Sequence, residues 1–236
     1  MPRGNPKLQR MFSNITPHYD FLNHFLSAGL DITWRKRAVG TMALPAGARV
    51  LDLCTGTGDL LLEVARRAGA RARLVGADFA QPMLLEALRK TRRKAPRQPM
   101  LFLSAESENL PFPDLSFDAV TIAFGVRNLW STLDLCLKEM ARVLRPGGRV
   151  YILEMSRPRL PWLRRLYNLY LRTVVTYVGG ALARDRPAYR YLAQSIIRFM
   201  GPDELRARML QAGFHEVSYR LYEWGIAALH VGTKGA

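Results

Sequence analysis

Residues 50–59 read Val-Leu-Asp-Leu-Cys-Thr-Gly-Thr-Gly-Asp, and no other stretch limits the fold so tightly. Val50, Leu51 and Leu53 form a short apolar run of the kind found in a parallel strand buried on both faces. Gly56 and Gly58 follow, and a backbone without Cβ lets a turn approach a ligand closely. Asp59 stands where a helix should begin, and Leu60 to Arg67 continue it. A second strand, 73–78, ends in another acid, Asp78. Strand, glycine turn, helix, strand and terminal acid describe the carboxyl edge of an open α/β sheet, where such folds bind nucleoside ligands.

The glycine spacing narrows the ligand. A dinucleotide fingerprint needs a third glycine at position 61, which is Leu61. A phosphate loop needs Gly-Lys-Ser/Thr, yet Asp59 follows Gly58 and the turn holds no Lys or Arg. An acid in the turn suits a ligand with a positive end. The Asp-x-x-x-Gly-x-Gly pattern of Asp52, Gly56 and Gly58 resembles motif I of the S-adenosylmethionine-dependent methyltransferases. Taken alone, it also suits an ordinary strand–turn–helix.

The rest of the chain keeps the rhythm. Helices are expected at 59–68, 81–94 and 131–144, strands at 100–103, 117–122 and 149–154, and a loop over 92–99. Five strands alternating with helices predict a Rossmann-like, doubly wound α/β fold. A helix at 203–212 and an antiparallel pair at 214–221 and 226–232 complete a seven-stranded, mostly parallel sheet. The expectation is a single domain over 1–236, with an N-terminal helical segment at 11–42 and a helical cap insertion at 157–200.

Composition bears on partners. The net charge is +16, with arginines clustered at 92–97 and 157–165 and more at 184, 186 and 190. A solvated surface, a nucleic acid or an anionic membrane would each suit that charge, which does not choose among them. No apolar run is long enough to span a bilayer, and 1–10 lacks a signal-peptide pattern. Cys54 and Cys136 read as reduced core residues, so a cytoplasmic setting is expected, and the four scattered His predict no metal. A homo-oligomer remains open.

The cofactor contacts can be assigned residue by residue. Asp78 suits ribose hydroxyls, or alternatively a helix start. Glu106 and Ser107, after the third strand, suit adenine. Gly56, Thr57 and Gly58 suit the methionine end, with Asp52 fixing the turn or meeting the ammonium through water. The wall by the reactive methyl falls at Ala123 to Arg127.

Two blocks then make the resemblance specific. Ala123-Phe124-Gly125-Val126-Arg127-Asn128 is followed by Arg145-Pro146-Gly147-Gly148 and Leu153-Glu154-Met155-Ser156. Upstream, Tyr19-Asp20-Phe21-Leu22-Asn23 leads to Leu26-Ser27-Ala28-Gly29-Leu30 and Trp34. Together with 188–192 and 227–232, these blocks resemble the demethylmenaquinone and ubiquinone C-methyltransferase family over about residues 11 to 234. Departures are Asp31 for His, Arg145 for Lys, Thr55 for Gly and Ala123 for Ser.

The resemblance implies ring C-methylation of a prenylated quinol by S-adenosylmethionine, most simply in the menaquinone branch, with no nucleic acid as partner; the alternatives are the ubiquinone-pathway step, an RNA methyltransferase or a non-catalytic scaffold of a quinone-synthesis complex. A base near the quinol hydroxyl would help. Candidates are His18, Tyr19, Asp20, Asp31 and Tyr189, while Arg127 and Asn128 would orient the ring oxygens or fix the loop. Trp162, Leu163, Leu166, Leu169, Tyr170, Val174 and Tyr177 recur at helical spacing, with Arg164, Arg165 and Arg172 off that face. Helix 162–178 therefore reads either as an interfacial helix on an anionic membrane or as a cap helix packed on the sheet.

Overall fold

The computed structural model describes residues 6–16, 19–95, 97–183 and 185–235. Three helices come first: α1 (Pro6–Ile15), α2 (Tyr19–Leu26) and α3 (Leu30–Gly40). The βα alternation follows as β1 (Arg49–Leu53), α4 (Asp59–Ala68), β2 (Arg73–Asp78), α5 (Gln81–Lys94), β3 (Met100–Ser104), β4 (Phe117–Ala123), α6 (Leu133–Val143) and β5 (Leu144–Met155). The cap holds α7 (Pro161–Tyr170), a π-helical stretch (Leu171–Gly179), α8 (Gly180–Leu182) and α9 (Arg186–Arg198). α10 (Pro202–Gln211), β6 (Phe214–Tyr222) and β7 (Ala227–Lys234) close the chain.

The seven strands form one sheet in the order β3-β2-β1-β4-β5-β7-β6. β1 to β5 pair in parallel, and β7 runs antiparallel to both β5 and β6. The period of two sorts each central strand onto two faces. Leu51, Leu53, Val120, Ile122 and Ile152 pack under α6 and α10, against Leu137, Met140 and Met209. Val50, Leu74, Tyr151 and Leu153 pack on the other side, against Trp34 of α3 and Leu61 and Val64 of α4. A third cluster joins the N-terminal helices to the cap, through Leu22, Leu171, Val175, Tyr189 and Ile196. Cap and N-terminal segment therefore fold as one layer over the sheet's carboxyl edge.

Three boundaries differ from expectation. Helix α5 runs over Gln81–Lys94 as expected, so the loop read over 92–99 begins only after Lys94. Strand β5 starts at Leu144 instead of 149. Its pairing jumps from Phe117↔Leu144 to Ala119↔Arg149, so the Arg-Pro-Gly-Gly turn is a bulge inside the strand. In the cap, the wider π-helical turn carries Thr176 Oγ1 to the carbonyl of Leu171 at 3.1 Å. That shift buries Val175 where the regular helical spacing favoured Val174.

Candidate functional site

The carboxyl ends of β1, β2 and β4 meet where the connections change direction, between β1 and β4. The turn after β1 is held from both sides. Gly56 N donates to Asp78 Oδ2 at 2.9 Å. Thr55 Oγ1 and Thr121 Oγ1 each donate to one oxygen of Asp52 at 2.6 Å. Asp52 thus braces the turn against β4, and burial pushes its carboxyl up to about 7. Cys54 and Phe124, at the ends of β1 and β4, take φ of 49° and 58°. Left-handed backbone is costly outside glycine and gathers at functional sites.

A cavity of about 130 Å³ opens along this edge, lined by Gly56, Asp78, Glu106, Ser107, Ala123 and Asn128. Five of the eight residues assigned to the cofactor therefore face one space. Phe12 of α1 and Tyr19 of α2 cover it. Asp52 and Thr57 line a smaller cavity of about 30 Å³ that shares Gly56 and Ala123 with the first. Gly58 lines neither. Its φ of 83° starts α4, and a Cβ there would lie 3.2 Å from that of Ala87. Asp78 also accepts from Ala80 N at 2.9 Å, so one carboxylate both begins α5 and faces the cavity. Burial raises its pKa.

A second cavity, of about 570 Å³, lies between the N-terminal helices and the cap. Its walls are mostly apolar, with Leu26, Trp34, Leu163, Leu171, Val175 and Ile196 among them. Tyr19 and Phe124 line both cavities and form the partition between them. Asn23, Ser27 and Asp31 also line the second cavity, and the more buried of its two arginines, Arg35 and Arg127, is Arg127. Its Nη1 pairs with Glu154 Oε1 at 2.8 Å and donates to the carbonyl of Phe124, while its buried Nε has no hydrogen-bond partner. Burial works against the guanidinium charge, but Glu154 more than offsets this and keeps it raised.

The base candidates separate. Tyr19 stands at the partition, yet burial raises its pKa despite Arg127 and Arg35, so its hydroxyl is a donor. Asp31 reaches the apolar cavity but is held by Arg35, His24 and Ser27. Burial opposes its charge, and Arg35 outweighs this to hold it below the usual carboxylate range. Asp20 is turned away, bound by Thr57 Oγ1 and Lys90 Nζ. Tyr189 is buried in the cap layer, where a Cβ on Gly179 would meet its ring at 2.5 Å. Asn128 accepts from Tyr191 Oη at 3.1 Å. His18 lies outside the described residues. Glu154, at the end of β5, pairs with Arg127.

Lys90 was not foreseen. Within a run of basic residues it reads as solvated, yet its Nζ is buried between Asp20, Thr57 and Asp59, the last at 2.7 Å. The signal was its spacing, since Met83, Ala87 and Lys90 share one helix face. Tyr167, reaching inward from α7, was also missed. In helix 162–178, Leu163, Tyr167 and Tyr170 line the cavity, as a packed cap helix would, while Trp162 and Leu169 are 63% and 58% exposed. Among the described residues no helix is long and apolar enough to cross a membrane.

Comparison with known proteins agrees with this geometry. A demethylmenaquinone methyltransferase of Thermus thermophilus is 46% identical over 224 residues, covering 95% of this chain and 100% of that one. The ubiquinone/menaquinone biosynthesis C-methyltransferase UbiE of Geobacter sulfurreducens is 41% identical, covering 97% of this chain and 89% of that one. A demethylmenaquinone methyltransferase of Staphylococcus aureus is 39% identical, covering 97% and 93%. Among solved structures, a Thermotoga maritima S-adenosylmethionine-dependent methyltransferase, described as a possible histamine N-methyltransferase, superposes with a TM-score of 0.68 at 20% identity, covering 95% and 98%. A [4+2]-cyclase superposes with a TM-score of 0.70 at 17% identity, covering 97% and 95%, so the fold by itself does not fix the chemistry. The family model of the ubiE/COQ5 methyltransferases matches residues 2–234, and this chain belongs to that family of S-adenosylmethionine-dependent enzymes.

Proposed function

We propose that this protein methylates a ring carbon of a prenylated quinol, with demethylmenaquinol as its acceptor. The observation that carries the reading is the pair of cavities meeting at Tyr19 and Phe124, one partly polar and one mostly apolar. The relatives named for demethylmenaquinone support the acceptor, as does a cavity with room for an aromatic bicycle and the start of a prenyl tail.

The polar cavity fits S-adenosylmethionine. Asp78 would accept from the ribose hydroxyls, Glu106 and Ser107 would meet the adenine, and Gly56 and Thr57 would face the methionine end. When bound, this co-substrate supplies a methyl group activated on a sulfonium. In the apolar cavity, Arg127 offers its free Nε–H and its charge to a ring oxygen. Stabilising that oxygen as an anion pushes electron density onto the adjacent ring carbon, the nucleophile. Tyr19 stays protonated and is placed to donate to the same ring system. Excluding water from an apolar chamber strengthens each of these contacts. Electrostatic stabilisation by Arg127 lowers the cost of ionising the quinol hydroxyl, and both the hydroxyl proton and the ring proton displaced by the methyl group pass to solvent.

The acceptor reaches the site from a membrane. Phe21 and Phe25 stack at 6.0 Å on the outside of α2, and both are exposed, as are Trp162 and Leu166 on α7. Arg164, Arg165 and Arg172 accompany them, an arrangement that suits an anionic interface. Flotation with anionic liposomes at moderate salt should recruit the protein; absence of recruitment removes this part of the reading.

The deciding assay gives purified protein methyl-labelled S-adenosylmethionine with reduced demethylmenaquinone, beside a demethylated benzoquinol. Label in the naphthoquinol is expected. Label in the benzoquinol alone moves the enzyme to the ubiquinone branch. Label in neither, with cofactor bound and both quinols kept reduced, overturns the proposal.

A further inference from the structure

The Leu153-Glu154-Met155-Ser156 motif leaves one residue without a task. Glu154 holds Arg127, but Ser156 is 5% exposed and its Oγ has no hydrogen-bond partner. Burying a hydroxyl unpaired is unfavourable, so a ligand is the natural partner to look for. Ser156 lines a cavity of about 210 Å³ together with Arg157, Arg164, Tyr167 and Asn168. The Oη of Tyr167 is likewise buried and unpartnered. Burial raises its pKa, which keeps the hydroxyl a donor. Arg157 Nη2 donates to the carbonyl of Arg198 at 3.0 Å, tying that guanidinium to the end of α9. Arg164 makes no side-chain hydrogen bond among the described residues, and no carboxylate lines the cavity.

Two cations, two neutral hydroxyls and an amide around one space, with no acid, form the donor set of an oxyanion site. We propose that this cavity binds a phosphate-type oxyanion, with the hydroxyls of Ser156 and Tyr167 at its floor and Arg157 and Arg164 at its rim. A phospholipid headgroup and a free phosphate share that chemistry. The surroundings favour the headgroup. Leu160 and Trp162, in the turn before Arg164, are exposed apolar residues at the level of the rim. Tyr167 and Ile196 line this cavity and the apolar cavity alike, so a headgroup held here sits beside the quinol's entrance. Only this lipid source rests on a membrane-resident acceptor; the anion chemistry does not depend on methyl transfer.

The test uses the full chain and three variants: Ser156→Ala, Arg164→Gln and, as an equal loss of charge on the far helix α5, Arg92→Gln. Inorganic phosphate is titrated by calorimetry at constant ionic strength. Vesicles of phosphatidylcholine, with and without phosphatidylglycerol, are assayed by flotation. Ser156→Ala and Arg164→Gln should each weaken binding about tenfold, while Arg92→Gln stays within about twofold. Ser156→Ala should leave the Tm unchanged or raised, because it deletes an unpaired buried hydroxyl, so its loss of binding is not misfolding. Vesicle binding with this pattern identifies the headgroup as ligand, and phosphate binding alone identifies the free anion. Binding of neither, or an equal loss in Arg92→Gln, overturns the site. Turnover of a dissolved short-tailed quinol in the same preparations shows separately whether the methyl-transfer reading stands.

Discussion

The cavity proposed for the cofactor measures about 130 Å³ and is framed by backbone turns; the one proposed for the quinol measures about 570 Å³ and is framed by side chains from helices. The first lies at the edge of a sheet whose every strand is fixed by its neighbours. Its carboxylates are spent on structure as well as on ligand, with Asp52 on two threonines and Asp78 on two amides. The second lies between a three-helix N-terminal segment and the cap, and its mostly apolar walls carry Tyr19, Asp31, Arg35 and Arg127. The contrast teaches where this fold places rigidity and where it places specificity. A shared co-substrate needs a fixed cradle; a particular acceptor needs a chamber whose walls vary independently of the sheet.

The largest expected effect tests whether Arg127 belongs to the chamber or merely to its frame. Arg127→Met leaves Glu154 buried without its cation, which costs about 3–5 kcal/mol by urea unfolding. Losing the charged donor proposed for the ring oxygen should lower kcat by about 10²–10³. Adding Glu154→Gln should restore stability to within about 1 kcal/mol but leave turnover low. Recovery of both together would make the arginine a brace and nothing more.

On the cradle side, Asp52 gives a pH-dependent counterpart. Its carboxyl is raised by burial to about 7, so between the unfolded value and that point the folded chain binds more protons than the unfolded. Its contribution to stability is complete below about pH 4 and is lost as pH rises through about 7, by up to ~1.4 kcal/mol per pH unit. Asp52→Asn should flatten that slope in thermal melts taken from pH 4 to 8. An unchanged slope would place the titration elsewhere.

Lys90 joins the two regions, since it ties Asp20 of α2 to Thr57 of the glycine turn. Lys90→Met should destabilise by about 2 kcal/mol, less than a fully buried pair because both carboxylates reach solvent in part. The KM for S-adenosylmethionine should rise more than kcat falls. A change in kcat alone would show that α2 serves the quinol and not the cradle. The smallest effect is expected at Tyr189, which packs on Gly179 away from the apolar chamber. Tyr189→Phe should keep kcat within about twofold, with an unshifted pH profile; a larger loss would return it to the chemistry.

The cradle was legible because its information is local. A strand, a turn that needs glycine and an acid at the next strand's end fall within 29 residues, and their spacing is set by the sheet's geometry. Helix α5 was placed correctly at both ends, whereas strand β5 was placed with an error at its start, where an in-strand bulge overrides the local pattern. The family blocks carried the reaction class, which the residues of the turn by themselves left open. Helical spacing did find the apolar residues of 162–178, but not which of them face inward, because the π-helical stretch rotates the second half.

By itself, the sequence determined the α/β alternation, the glycine turn after β1, the acids at positions 52 and 78 and the family to which the chain belongs. Only the tertiary structure decided which charges are spent on one another: Arg127 on Glu154, Lys90 on Asp20 and Asp59, Asp31 on Arg35. The first set depends on periodicity and backbone conformation, which act over a few residues. The second depends on which elements meet across the sheet's edge, between groups up to 70 residues apart, and on burial, which makes each unpaired charge too costly to keep.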